Sequence, residues 1–200
     1  MSPTRPAPVA AVAALAGILG GCAPSLPVGG FVPSWSLGST EGETFSADQL
    51  RGRPGMLVWI DPMCPEVQRA AQSDGALRRM ESRWMQTDSA WVLYVAARTR
   101  SDEVMEPPLW RPWMKESKLR GAVLVDSAGS LARLLGVETV PSAAVVDPDG
   151  YLRWRGPLRP VDEAGNPQAS LVLDSLLHGN ALPAPDPGPD RGCSTAGRPF

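Results

Sequence analysis

Three apolar runs stand out in the middle of the chain: Met56–Asp61 (MLVWID), Trp91–Arg98 (WVLYVAAR) and Ala122–Asp126 (AVLVD). Unbroken runs of this length, bounded by turn residues, predict strands buried on both faces. Between them the apolar spacing changes. Val67, Ala70, Ala71, Leu77, Met80 and Trp84 recur at three and four residues, which predicts a helix over Pro65–Gln86. Pro65 opens it where a missing N–H costs nothing. A second helix is expected over Leu109–Leu119, with Pro112 near its start, and a short third over Ser130–Leu135, ended by Gly136. Ser142–Gly156 then reads as strand, Asp-Pro-Asp-Gly turn and strand, a β-hairpin. Gln168–Gly179 reads as a last helix, with Leu171, Leu173, Leu176 and Leu177 apolar.

Ahead of these elements, Phe31–Leu37 predicts a short extended segment whose Pro33 suits a sheet edge. Ser46 caps a single helical turn that Gly52 and Pro54 stop. The order is β-α-β-α-β-α, hairpin, α, which points to an α/β domain with parallel crossovers and an antiparallel edge. The expected domain covers residues 32–179. The 22 prolines and 20 glycines crowd the two ends. Residues 22–31 therefore read as a tether, and 180–200 as an extended Pro/Gly-rich tail without helix.

A chain of 200 residues that is 43 % hydrophobic can bury one real core. Its net charge of −2 shows no basic stripe, which argues against nucleic acid as the main partner. Arg5 is the only charged side chain before Glu41, and Val9–Gly21 is an apolar run of small residues. That run is too short to span a membrane as a mature helix and suits a signal segment over residues 1–21. It ends in Leu19-Gly20-Gly21-Cys22, which resembles the lipobox of bacterial lipoproteins. The resemblance implies a lipid on Cys22, attachment to the cell envelope facing the periplasm, and, with Ala23 rather than Asp next, the outer membrane over the inner one. Of the three cysteines, Cys64 and Cys193 then remain, an even number in an oxidising compartment. Two thiols and one histidine, His178, supply a metal site poorly, and no metal or cofactor is expected.

Cys64 follows the first buried run in WIDPMCPE, and LGVETVPSAAVVDPDGYLRWRG leads into the hairpin. Together with the element order, these stretches resemble the thioredoxin fold, within it the redoxin and TlpA-like envelope proteins, over about Val32–His178. The resemblance implies a three-layer α/β/α domain with a mixed sheet. It also implies a cis peptide bond at Val140–Pro141, with Pro141 facing Cys64 across the active site. The Gly192-Cys193 pair in a proline-rich tail has a looser likeness to thioredoxin-like proteins that lack the second cysteine of a CxxC motif; here Val67 stands in that place.

A cysteine at a helix N-terminus meets unpaired N–H groups that favour its thiolate. Cys64 is therefore the candidate nucleophile, with Pro65 and Val140 flanking it. Cys193 is the candidate resolving thiol, reached by a flexible tail; a free or intermolecular Cys193 is the alternative. Asp61 and Glu66 flank Cys64 as candidate proton carriers, and solvated helix-end chemistry suits them better. Trp59 and the pair Trp110 and Trp113 are expected in the core, and His178 in solvent. The function this supports is a monomeric envelope thiol–disulfide oxidoreductase acting on protein thiols and disulfides. One alternative is a non-enzymatic lipoprotein that binds a partner or metal precursor, with Cys64–Cys193 a staple. Another is a thiol peroxidase, which is disfavoured because Asp61 stands where peroxiredoxins use Thr or Ser.

Overall fold

The computed structural model describes residues 25–84, 88–97, 107–184 and 192–195; the expected signal segment and Cys22 lie outside them. In chain order the elements are β1 (Ser36–Gly38), β2 (Thr44–Ser46), a 3-10 turn (Ala47–Leu50), β3 (Gly55–Ile60), α1 (Pro65–Ala70), α2 (Ala76–Trp84), β4 (Trp91–Ala96), α3 (Pro107–Glu116), β5 (Val123–Val125), α4 (Ser130–Leu135), β6 (Thr139–Val140), β7 (Ser142–Val146), β8 (Leu152–Pro157), α5 (Gln168–His178) and β9 (Cys193–Ser194). The main sheet runs β5-β4-β3-β7-β8. Its β3, β4 and β5 are parallel, while β7 is antiparallel to β3 and β8 to β7. Every residue of β3 is buried, as is every residue of β7, so the centre of the sheet is covered on both faces. That is why these strands read as unbroken apolar runs rather than alternating ones.

The helix expected over Pro65–Gln86 is two helices. The chain turns through Gln72-Ser73-Asp74-Gly75, residues that favour turns, and the Gly75 N–H donates to Gln72 O at 2.9 Å. A Cβ on Gly75 would come within 2.3 Å of Ala70 O, so only glycine lets the backbone fold back this closely. The apolar face survives the break, since Val67, Leu77, Met80 and Trp84 are all buried. α3 starts two residues earlier than expected, because Pro107 and Pro108 are tolerated in a first turn. Pro112 consequently lies inside the helix rather than at its start. Trp59 and Trp110 are core residues, and the Trp110 and Trp113 rings meet edge to face at 6.1 Å.

The segment read as a tether packs against the domain from Ser25 on. Leu26 N–H donates to Leu134 O at 2.8 Å, Gly29 N–H to Leu152 O at 2.6 Å, and Arg155 Nη1 to Leu26 O at 2.8 Å. Phe31 sets its ring on Tyr151 at 5.5 Å, and Val32 is buried. The turn of the β7–β8 hairpin is held by Asp147, whose Oδ1 accepts the N–H groups of Asp149 and Tyr151 at 3.0 and 2.9 Å.

Candidate functional site

The site lies where β3 ends and α1 begins. Asp61 makes the turn between them: its Oδ1 accepts the Met63 N–H at 2.8 Å and its carbonyl accepts the Cys64 N–H at 2.9 Å. This leaves Asp61 buried, with 7 % exposure, which corrects the expectation of a solvated carboxylate. The reason is local, because a turn leaving a buried strand must satisfy its own N–H groups internally. Glu66 is half-buried and pairs with Arg69 one turn on. Cys64 is the N-cap of α1 and Pro65 its first residue. Gln68 ties the turn to the helix, donating through Nε2 to Pro62 O at 2.9 Å.

The second wall of the site comes from residues 137–141. The Val140–Pro141 peptide bond is cis. Proline lowers the cost of a cis bond enough for the surrounding fold to select it. The Pro141 carbonyl accepts the Leu158 N–H at 2.8 Å, which ties the wall to the end of β8. Cys64 Sγ lies 3.6 Å from Val140 O.

The third component arrives from the tail. Cys193 Sγ is bonded to Cys64 Sγ, with the two Cα atoms 6.0 Å apart and a sequence separation of 129. Beside the bond, β9 pairs antiparallel with β6, Val140 opposite Cys193 and Thr139 opposite Ser194. Thr195 extends the ladder, its N–H donating to Glu138 O at 2.7 Å and its Oγ1 to Val137 O at 3.1 Å. Gly192 approaches so closely that a Cβ there would sit 2.5 Å from Val140 O. In this oxidised state Cys64 is 1 % exposed, and its sulfur is held in a covered disulfide rather than as a free thiolate. Met63, next to it, is 69 % exposed and is the largest apolar surface at the rim.

The structure thus brings Cys64, Cys193, Pro141, Val140, Pro65, Asp61 and Glu66 to one place. It gives Gly192, already noted beside Cys193 in the sequence, a steric role, and adds Thr195, Thr139 and Glu138, which sequence reasoning missed because a two-residue strand carries no periodicity. Their one signal is a glycine directly before the tail cysteine. His178 stays apart, at the exposed end of α5, with Nδ1 2.9 Å from Asp174 O. Among the described residues no group of three or more His, Cys, Asp or Glu side chains could hold a metal ion.

A second polar cluster sits inside the domain, between α2 and β4. Tyr94 OH donates to Glu81 Oε2 at 2.5 Å, and the Arg120 N–H donates to Glu81 Oε1 at 2.6 Å. Burial pushes the Glu81 carboxyl above its ordinary value, against the pull of these two donors. The Tyr94 hydroxyl is held well above its usual range, first by burial and then by the Glu81 charge.

Comparison with known proteins places this architecture. An uncharacterised conserved protein from Geobacillus kaustophilus superposes with a TM-score of 0.72 at 19 % identity, over 88 % of this chain and 94 % of its own. The pneumococcal exposed lipoprotein thioredoxin from Streptococcus pneumoniae gives 0.52 at 22 % identity, over 73 % of this chain and 99 % of its own. A candidate thiol:disulfide interchange protein, DsbE, from Chlorobium tepidum gives 0.52 at 18 % identity, over 66 % and 85 %. These likenesses show the thioredoxin fold, an α/β domain with a mixed central sheet and an antiparallel C-terminal strand pair. No curated protein matches the chain in sequence. The AhpC/TSA family model matches residues 28–155, which contain β3, the Cys64 turn and the cis-proline wall, and the chain belongs to that family.

Proposed function

We propose that this protein is a thiol–disulfide oxidoreductase of the cell envelope, with Cys64 as nucleophile and Cys193 as resolving thiol. The observation that carries this reading is the Cys64–Cys193 bond itself, at a strand–helix junction facing a cis-proline. A reduced Cys64 is the N-cap of α1, where first-turn N–H groups favour a thiolate. That thiolate attacks a substrate disulfide, forms a mixed disulfide and expels one substrate sulfur as a thiolate. The Cys193 thiolate then attacks Cys64 Sγ, closes the Cys64–Cys193 bond and expels the second substrate sulfur. Two electrons have passed from the dithiol to the substrate, whose two thiolates take up the protons; an envelope dithiol resets the pair, and the reverse sequence oxidises a substrate dithiol. Asp61 does not fit peroxide binding, because its Oδ1 accepts an N–H where a peroxidase needs a hydroxyl donor.

Two further features support the envelope setting. Leu19–Cys22 has the residues of a lipid-attachment site, with Cys22 as the lipidated thiol. A structurally similar protein is described as an exposed lipoprotein thioredoxin.

A redox titration of the Cys64–Cys193 pair tests the function. A potential above about −250 mV with reversible exchange is expected for a catalyst, whereas a bond that resists reduction below about −300 mV is a structural staple and overturns the reading. The intact mass of the mature chain taken from membranes reports on the lipid: a mass equal to the bare polypeptide removes the anchor.

A further inference from the structure

Among the described residues five large apolar side chains stand exposed, and four of them, Val28, Phe31, Tyr151 and Leu182, share one face at 39 to 56 % exposure. Contacts join them into one patch. The Phe31 and Tyr151 rings meet edge to face at 5.5 Å. The Arg51 guanidinium lies 4.9 Å from the Phe31 centroid, and that of Arg153 lies 5.6 Å from the Tyr151 centroid. Arg153 also lines a cavity of about 370 Å³ together with Val28, Leu182, Arg155 and Arg159. Exposed apolar groups scattered singly would mean nothing, but a contiguous patch marks an interaction surface. Aromatic rings and arginines side by side suit the level of lipid headgroups, where a ring meets acyl chains and a guanidinium meets phosphate. Arg155 bonds the Leu26 and Leu135 carbonyls, which leave its positive charge uncancelled.

The position of the patch along the chain selects its occupant. Arg155 Nη1 holds the Leu26 carbonyl at 2.8 Å, and the Leu26 N–H donates to Leu134 O at 2.8 Å, so the backbone next to Ser25 is pinned at the patch. Cys22 is three residues before Ser25. Three residues of fully extended chain reach about 10 Å. A helix is about 10–12 Å across, so no layer of protein fits between a lipid on Cys22 and the patch. We infer that the face bearing Val28, Phe31, Tyr151 and Leu182 seats directly on the phospholipid bilayer, with its arginines at the headgroup phosphates. The inference rests on the lipid attachment to Cys22 proposed above, and goes beyond it by fixing how the domain is turned. A Cβ on Gly136 would lie 3.0 Å from Ser25 Cβ, and Val140 is four residues further on. Cys64 Sγ lies 3.6 Å from Val140 O. The exchange site is then held within about 25 Å of Ser25, close to the lipid surface.

The test uses the full chain, expressed with its own N-terminus, taken from membranes in the oxidised state and returned to vesicles of phosphatidylcholine and phosphatidylglycerol in equal parts. Val28→Cys and Leu182→Cys carry a nitrobenzoxadiazole fluorophore on the patch. Lys115→Cys carries it at the opposite edge of the sheet, since Lys115 lines a cavity with Val123 of β5. Cys64 and Cys193 are bonded to each other and take no label. The parent chain, treated alike, gives the background. Phospholipid with a nitroxide near the top of its acyl chain quenches fluorophores buried at the headgroup boundary. An interfacial face sits about 5–10 Å into that boundary, so quenching of the two patch labels is expected to exceed that of the Lys115→Cys label about threefold. Equal quenching at all three positions overturns the seat. So does shielding of the patch labels from aqueous iodide without quenching by the lipid, the result for a patch covered by another protein. Intact mass of the same preparation scores the anchor separately. A lipidated chain with equal quenching keeps the anchor and loses the seat. A bare polypeptide with patch-selective quenching loses the anchor and keeps the seat, and one without it loses both.

Discussion

The five-stranded sheet and the two-residue β6–β9 ladder are both β structure, and they are held by different means. β3 sits between two partners along its length and is buried throughout, so its backbone pairs on both sides and its side chains pack in the core. The ladder joins Thr139–Val140 to Cys193–Ser194, and only Val140 of these four residues is fully buried. Two residues per strand are far fewer than an independent sheet needs. The disulfide closes that gap by fixing the tail next to β6. The difference teaches that the sheet is a product of burial, whereas the ladder is a product of a covalent link that redox chemistry can open. A rigid scaffold and a releasable strand are what a thiol-exchange site requires.

The largest expected effect comes from cutting the link. Cys193→Ser opens a loop of 129 residues, and the chain-entropy model puts the loss of stability at about 4–5 kcal/mol. Urea unfolding of the oxidised protein and the variant measures it. Hydrogen exchange shows where the change falls: the Thr195 N–H should lose its protection while β3, β4 and β7 keep theirs. If the β3 amides open together with Thr195, the ladder belongs to the core and the two regions are one cooperative unit.

Leu57→Ala attacks the other region. Leu57 is fully buried on the central strand, and the cavity should cost about 3 kcal/mol. The contrast is sharpened by measuring this variant in both redox states. Sites that do not touch should add within about 0.5 kcal/mol. A larger difference between the oxidised and reduced backgrounds would couple the sheet to the ladder.

The smallest effect is at Glu81. Its folded-state carboxyl is raised above 4.5 by burial, so the folded protein holds that proton more tightly than the unfolded chain does. Its contribution is therefore most favourable below pH 4.5 and declines as pH rises through the raised folded value. Glu81→Gln keeps a partner for the Arg120 N–H and for Tyr94 OH, so the change at neutral pH should stay within about 1 kcal/mol. Denaturant midpoints from pH 4 to 8 should show the decline in the parent and its absence in the variant. A parallel decline in both assigns it to another group.

Much of the scaffold could be read directly. The runs at Met56, Trp91 and Ala122 became β3, β4 and β5 because a strand buried on both faces leaves an uninterrupted apolar signature. The Asp-Pro-Asp-Gly turn made the β7–β8 hairpin, and Gly136 ended α4 with a left-handed φ of 66°. The single helix expected over Pro65–Gln86 failed because both of its halves present apolar residues to the same core. Periodicity alone does not register a turn between them when the face is maintained. Asp61 was misjudged for a related reason: a carboxylate that caps its own turn reads as a surface residue until the turn is seen closed over it.

Sequence alone thus determined the order of elements, the buried strands, the position of Cys64 at a strand–helix junction and the short list of thiols it could meet. Those are consequences of local chemistry, which every few residues restate. Tertiary structure decided that Cys193 reaches Cys64, that Val140 lies opposite it and that Gly192 has no room for a side chain. Each depends on atoms that are distant along the chain meeting within a few ångströms. No local pattern encodes that distance, and it exists only once the sheet has been built for the tail to lie against.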